Sequence, residues 1–174
     1  MAKNRKNKYR VLFIGESWNG SDCTGLARGF REIGCAVELI GSDQFFPKID
    51  KAFFSKALNR LLHSFFKKQY NQYILKLAKI VNPHITVVFK GNYICVQTLK
   101  NLKGANNWLT NFYPDISLMN HSSVEVAGFH YYDHIFTTKS FGIKDYKHNL
   151  GLTNVSFLAH GCDPNVHRFI EREL

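Results

Sequence analysis

The sequence lacks long apolar runs and paired cysteine motifs, and each absence excludes a class of protein. No segment approaches the roughly 20 consecutive apolar residues that a helix needs to cross a bilayer. The basic start, MAKNRKNKYR, is not followed by an apolar stretch and a small-residue cleavage site, so we expect no signal peptide. The four cysteines are widely spaced without a Cys-x-x-Cys pair, which argues against a zinc ribbon and a disulfide-stapled secreted domain. We therefore expect a cytoplasmic protein with reduced thiols.

The charge balance is strongly positive, and this narrows the classes of partner. The chain has 23 Lys and Arg against 13 Asp and Glu, which gives a net charge of +10. A positive excess favours nucleotides, nucleic acid or an acidic membrane surface as partners. Part of it lies in residues 1–8, which we interpret as a basic tail. We find neither an RNA-recognition aromatic motif nor a helix-turn-helix pattern, so we expect no nucleic-acid partner.

Apolar runs alternate with segments of helical spacing along the rest of the chain. A strand is predicted at residues 10–14, ended by Gly15, and the next helix is capped by Ser21 or Asp22 and ended by Gly34. The other predicted strands are residues 36–40, 84–91, 108–113, 134–140 and 154–161, and the other predicted helices are residues 51–81 (one helix, or two with a bend), 93–102 and a short one from 143. This order predicts an α/β domain with a doubly wound, mainly parallel, Rossmann-like sheet and helices on both faces.

In a sheet of this kind, ligands bind beyond the carboxyl ends of the strands. That rule brings the loops after the predicted strands around one crevice. The candidate substrate-binding residues in these loops are Gly15, Ser17, Asn19, Gly20, Ser21, Lys90, Asn92, Tyr113, Lys139 and His160.

The loop after the first strand, GESWNGSDCTG, has the outline of a phosphate-binding loop but not its spacing. Its glycines are Gly15, Gly20 and Gly25, which fit neither Gly-x-Gly-x-x-Gly nor a loop ending in Gly-Lys-Ser/Thr. Two interpretations stay open. Either backbone N–H groups at the helix N-terminus contact an anion or a sugar, or the loop is only a tight, capped turn.

Two carboxylates, Asp115 and Glu16, stand on the same predicted rim. A carboxylate at this position is placed to act as a general base or to bind hydroxyl groups, and the alternative is a turn-capping role. A further polar cluster, HGCDPNVH at residues 160–167, matches no standard zinc spacing, and its Asp163-Pro164 pair is a turn signal. We therefore expect no metal there.

Residues 51–81 mix Phe, Tyr and Leu with Lys, and this composition supports two hypotheses. As a basic amphipathic helix, the segment would dock on acidic lipid headgroups. As a core helix, it would pack through its apolar side and leave its basic side to solvent.

Five stretches taken together resemble successive segments of one known domain. They are VLFIGESWNGSDCTGLARGFREIGCAVELI, NPHITVVFKGNYI, NFYPDIS, YYDHIFTTKSFGIKDYK and NVSFLAHGCDPNVHR. Over residues 9–170 the chain resembles the N-terminal Rossmann-like domain of GT-B glycosyltransferases, in the CgeB-type (spore-maturation-protein-like) branch related to the family-four enzymes. In that family an apolar strand followed by a P-[NH]-G-x-D-P-like turn marks the passage to the second domain. Here Ala159 stands where proline is common.

The resemblance implies an acceptor-side domain over residues 9–165, with residues 166–174 starting the crossover to a C-terminal donor domain outside this sequence. The implied partners are a sugar acceptor, a nucleotide-sugar co-substrate and that donor domain, without a metal or other cofactor. Asp115 matches a position of the family motif, although Ile116 stands where a second acid is usual, and Glu16 stays a catalytic candidate from its place on the rim. The chain alone is then expected to be inactive. The alternative is a non-catalytic Rossmann-like module that binds an anion or a partner protein.

Overall fold

The computed structural model describes residues 9–46, 53–105, 107–116 and 123–167, and within them six parallel strands form one sheet. The strands are β1 Arg10–Gly15, β2 Ala36–Gly41, β3 Ile85–Phe89, β4 Trp108–Tyr113, β5 His134–Thr137 and β6 Val155–Phe157. Their order across the sheet is β2-β1-β3-β4-β5-β6. This arrangement confirms the predicted doubly wound, Rossmann-like α/β fold. The predicted basic tail, residues 1–8, lies outside the described residues.

Within these described ranges, four α-helices and two short 3-10 helices connect the strands. They are α1 Asp22–Glu32, α2 Phe53–Val81, α3 Val96–Lys103 and α4 Gly142–Leu150, with 3-10 helices at Ser42–Gln44 and Val126–Tyr131. Helix α2 is continuous, so the predicted alternative of two helices with a bend is wrong for residues 53–81. No helix in the described part of the chain has both the length and the apolar character needed to cross a membrane.

The sheet separates two cores. Successive residues of β1 point to opposite faces, so that Val11 belongs to one core and Leu12 to the other. Among the described helices, only α1 contributes to the first core, through Cys23 and Ala27. The second core contains the buried side of the other helices, including Tyr70, Ile74, Ala78, Leu99, Leu102 and Tyr146. From β2 onward every connection leads across the sheet in one direction, and right-handed crossovers therefore place those helices on one face.

Some element ends differ from the prediction for local reasons. Helix α3 begins at Val96 rather than at Tyr93, because Tyr93 has a positive φ of +63° and Cys95 is extended. Strand β5 ends at Thr137 instead of residue 140, since Thr138 turns to donate a hydrogen bond to the carbonyl of Pro114.

Gly15, at the end of β1, is required by packing. A Cβ atom at this position would lie 2.7 Å from Cys23 Sγ and 2.8 Å from Phe89 Cβ, which is closer than real Cβ contacts. By contrast, a Cβ atom at Gly29 on α1 would meet nothing within 4 Å. The first glycine of the loop is therefore explained by the contact between α1 and the sheet.

These two glycines predict opposite effects of the same substitution. Gly15→Ala should lower the free energy of unfolding by about 1–3 kcal/mol, the usual cost of overpacking a core. Gly29→Ala should raise it by about 0.5–1 kcal/mol, because alanine is the better helix former. Urea unfolding measures both, and effects of the same sign would contradict the packing described for α1.

Candidate functional site at the carboxyl edge of the sheet

The site lies where the strand order reverses. The chain moves from β1 to β2 on one side, and all later strands are added on the other side of β1, beginning with β3. In parallel sheets a crevice opens at such a switch point, beyond the carboxyl ends of the two strands. The loop after β1 begins at Glu16, and the loop after β3, residues 90–95, begins at Lys90.

Three charged side chains meet in this crevice. The Lys90 ammonium lies 3.9 Å from Glu16 Oε1 and 3.7 Å from Asp115 Oδ2. All three side chains are only 25–29% exposed, so they face one another more than bulk solvent. The structure thus brings together both predicted catalytic carboxylates and one predicted binding lysine. We call these three residues the charged triad; its formal charge is negative.

The backbone beneath Lys90 adopts a rare conformation. Lys90 and Tyr93 have φ values of +61° and +63°, and Gly91 between them has +101°. A left-handed conformation costs a non-glycine residue on the order of 1–3 kcal/mol unless its surroundings hold it. Here Lys90 N donates to Phe112 O at 2.9 Å, and Asn111 Nδ2 lies 3.3 Å from Lys90 O. Strained backbone of this kind is characteristic of binding sites.

Asn71 of α2 fixes the far end of the same loop. Its buried side-chain amide donates to Tyr93 O at 2.8 Å and to Lys67 O at 2.7 Å, and its oxygen accepts from Cys95 N at 2.8 Å. The Tyr93 ring stacks on Phe46 with a centroid separation of 4.1 Å. The bond to Lys67 stays within α2, and the other two tie the loop to this helix through one side chain.

Glu125 forms a second anchor for the loop. Its carboxylate accepts from Lys67 Nζ and from Val96 N, both at 2.8 Å. Burial would raise the pKa of Glu125, but the Lys67 ammonium and the Val96 N–H outweigh burial and lower this pKa below its usual value. Close by, the Ser123 hydroxyl donates to Asn92 Oδ1 at 3.0 Å, so the amide oxygen of this predicted binding residue has an internal partner.

Ser17 and Ser21, in the loop after β1, are engaged in internal contacts. Ser17 donates to the Asp43 carboxylate from both its backbone N–H, at 2.7 Å, and its hydroxyl, at 3.0 Å. Ser21 is the N-cap of α1, where its hydroxyl oxygen accepts from Thr24 N at 3.1 Å. Both residues therefore make the internal contacts that the capped-turn interpretation expects, and contact of either one with a ligand stays a prediction.

Asn19 and Gly20 form the outer tip of the same loop. Asn19 is exposed, and Gly20 has a φ of +91°, a conformation that glycine adopts readily. A Cβ atom at Gly20 would lie 3.4 Å from Val166 Cγ1, so the tip approaches the segment that follows β6. Contact of Asn19 or Gly20 with a ligand stays a prediction.

Residues 160–167, which we call the crossing segment, pack back onto α1. Asp163 forms an ion pair with Arg28, and His160 Nε2 lies 3.0 Å from Asp22 Oδ2. Burial would raise the pKa of Asp163, but the Asn165 N–H and the Arg28 guanidinium outweigh burial and lower it. These contacts hold the crossing segment against α1. Contact of His160 with a substrate stays a prediction.

A cavity of about 430 Å³ lies between α1 and the crossing segment. Its floor is formed by Phe89 and Phe112, whose rings stack with centroids 5.4 Å apart, and Leu26 and Phe30 of α1 form a wall. The volume is within the range of small-molecule sites. The cavity lining does not include any member of the charged triad.

Two predicted residues remain, Tyr113 and Lys139. Tyr113 is only 1% exposed and packs edge-on against Phe129, with ring centroids 5.6 Å apart. Burial, with a smaller contribution from the charge of Asp115, raises the pKa of Tyr113 to about 12. Lys139 is half-buried after β5, where its N–H donates to Thr137 Oγ1 at 3.2 Å. Among the described residues, no group of His, Cys, Asp or Glu converges as metal ligands do.

Sequence reasoning missed three residues that shape the site: Asp43, Asn71 and Glu125. Asp43 could have been found, because it follows β2 at the same edge of the sheet. Asn71 lies in the middle of a long helix and Glu125 precedes a 3-10 helix, and neither position carries a local signal.

Similarity between this chain and known proteins is low. No protein-family model and no curated protein matches it. Among solved structures, it is similar to the GH18 chitinase ChiB from the chitin utilization locus of Flavobacterium johnsoniae, at 14% sequence identity and a TM-score of 0.38. The alignment covers 78% of this chain and 55% of the chitinase chain. Similarity of this degree carries no argument about the reaction.

The lowered pKa of Glu125 predicts how the loop anchor depends on pH. A carboxyl group with a depressed folded-state pKa stabilises the protein above its unfolded pKa of about 4.3, and this stabilisation is lost as the pH falls through the folded value. At pH 7, Glu125→Gln should therefore lower the free energy of unfolding by about 1 kcal/mol, after screening of a side chain that is 36% exposed.

Urea unfolding of both proteins between neutral and strongly acidic pH tests this anchor. The difference in free energy should close at acidic pH, because the wild-type carboxyl group is then protonated. Glu32→Gln removes an exposed carboxylate from α1 that forms no ion pair within the described residues, and it should give a difference near zero at every pH. A difference for Glu125→Gln that stays constant with pH would contradict the anchor.

Proposed function

We propose that this chain is the acceptor-side domain of a CgeB-type GT-B glycosyltransferase, which transfers a sugar from a nucleotide-sugar to an acceptor. The observation that carries the proposal is the charged triad of Glu16, Lys90 and Asp115 at the switch point of the sheet. Carboxylates accept hydrogen bonds from sugar hydroxyl groups, and an ammonium group donates to their oxygens. The three side chains of the triad are each only 25–29% exposed, and this partial burial supports a ligand that fits between them.

The charge of the site favours the acceptor over the donor diphosphate. The triad has two carboxylates and one ammonium group, and its negative formal charge repels phosphate. At the N-terminus of α1, the Ser21 cap and the Asp22 carboxylate already occupy the positions where a phosphate would benefit from the helix dipole. We therefore assign the diphosphate to a C-terminal donor domain and the acceptor hydroxyl to this chain.

The proposed reaction gives each member of the triad a role. Asp115 or Glu16 accepts the proton of the acceptor hydroxyl, and the acceptor oxygen forms a bond to the anomeric carbon of the donor sugar. The bond from that carbon to the diphosphate breaks, and the nucleoside diphosphate leaves with the electron pair. Lys90 donates a hydrogen bond that orients the acceptor. No metal or other cofactor is part of the proposal, and the free cysteines are in keeping with a cytoplasmic protein.

The second candidate is a non-catalytic module that binds an anion or a partner protein. The observation in its favour is that Ser17, Ser21 and His160 all have internal partners, which leaves fewer groups for a substrate. The two candidates differ in the probe that should bind and in the residues on which binding should depend.

Titration calorimetry with a panel of saccharides, with UDP and with inorganic phosphate separates the two candidates. We expect a saccharide to bind. Asp115→Asn or Lys90→Ala should lower its affinity by about tenfold or more, the usual effect of losing a hydrogen bond to a charged group. Lys100→Ala removes a charge from an exposed position on α3 and should have no effect. Two results together would favour the non-catalytic module: no saccharide binds, and phosphate or UDP binds with an affinity that neither triad substitution changes.

A second expectation concerns turnover. Incubated alone with nucleotide-sugars and the saccharide that binds, this chain should release no transfer product, because the diphosphate-binding groups belong to the other domain. Rapid transfer by the chain alone would contradict the proposed division between the two domains.

A further inference from the structure

Helix α2 exposes apolar side chains along one side of its outer surface. Leu62, Phe65, Tyr73 and Ile80 are 38%, 54%, 43% and 70% exposed. Their spacing returns them to the same side of a helix with 3.6 residues per turn. We call these four residues the outer stripe. The opposite side of α2, with Tyr70 and Ile74 fully buried, packs on the sheet.

Exposed lysines accompany the outer stripe. Lys68, Lys76 and Lys79 are exposed, and none of them forms an ion pair with another described residue. We call them the flanking lysines. Lys67, by contrast, is turned toward the loop after β3 and pairs with Glu125. The outer side of α2 therefore combines apolar surface with positive charge that no described acidic side chain neutralises.

The sequence around α2 contains positive charge only. Between Asp50 and Asp115 there is no Asp or Glu, and every charged side chain is Lys or Arg. A solvated helix face usually carries charges of both signs, which pair along the helix. A surface of one sign with an apolar stripe is instead suited to an anionic partner that also accepts apolar side chains.

We propose that the outer stripe and the flanking lysines dock this protein on an anionic lipid membrane. The helix would lie in the plane of the interface, with the stripe among the upper acyl chains and the lysines at the headgroups. Phe65 and Tyr73 are aromatic side chains of the type enriched at this depth. Because the other side of α2 belongs to the core, the helix docks on the membrane and does not cross it.

The exposed apolar side chains favour a membrane over nucleic acid. Phosphate backbones would neutralise the flanking lysines but would leave Leu62 and Ile80 in water. A membrane removes these apolar side chains from water as well, which adds a favourable term for each of them. The proposal is independent of the glycosyltransferase assignment, since it uses no member of the charged triad.

Docking would also determine how close the crevice lies to the membrane surface. His63, one residue beyond the start of the outer stripe, contacts both Phe46 and Tyr93, each with ring centroids 5.4 Å apart. Tyr93 belongs to the loop that presents Lys90. The docked helix would therefore hold this loop close to the headgroups.

Vesicle co-sedimentation tests the proposal at near-physiological salt. The wild-type chain should sediment with vesicles of phosphatidylcholine plus phosphatidylglycerol and stay in solution with phosphatidylcholine alone. The triple variant K68E/K76E/K79E should lower partitioning onto the anionic vesicles on the order of 100-fold, given the contribution of each lysine near an anionic surface. The matched variant K100E/K144E/K147E makes the same change in net charge on α3 and α4, and its effect should stay below about tenfold.

A second variant distinguishes a membrane from a partner that binds through charge alone. Phe65→Ser with Ile80→Ser keeps every lysine and changes only exposed side chains, so the fold should persist, as circular dichroism can verify. Partitioning should fall by about tenfold or more, because apolar burial is lost. Equal binding to both kinds of vesicle, an equal effect of the matched charge variant, or unchanged partitioning of the serine variant would each overturn the proposal.

Discussion

In a parallel sheet with right-handed connections, the helices stay on one face as long as the chain adds strands in one direction. Here β2 is added on one side of β1, and β3 to β6 follow on the other. The chains leaving β1 and β3 therefore separate toward opposite faces, and a crevice opens between them. Glu16 and Lys90 are the first residues of the two loops, and Asp115 joins them because β4 lies next to β3.

The crevice is useful only if its loops are rigid, and distant groups provide this rigidity. The left-handed backbone at Lys90 is held by hydrogen bonds with Phe112 and Asn111. That at Tyr93 is held by Asn71, next to the anchor at Glu125. Asp43 holds the loop after β1 in the same way through Ser17. A site whose backbone is ordered before binding loses less conformational entropy when a ligand arrives.

The sequence predicted the strands well because their apolar runs are bounded by glycine or by polar residues, as in β1 and β4. It also predicted that Glu16, Lys90 and Asp115 border one crevice, since the rule that ligands bind beyond the carboxyl ends applies to any strand that can be recognised. It did not predict the late start of α3, because nothing local shows that Tyr93 takes a positive φ. Asn71 and Glu125 were missed because their roles depend on contacts between elements far apart in sequence.

Nuclear magnetic resonance provides the most direct test of the claim that this crevice binds the acceptor. The chain, labelled with ¹⁵N, would be titrated with the saccharide that binds it, and changes in amide chemical shift would be mapped on the fold. The account predicts that the largest changes cluster at residues 16–20 and 90–95 and at Asp115. Changes confined to α1 and to residues 160–167, around the cavity beneath the crossing segment, would contradict it.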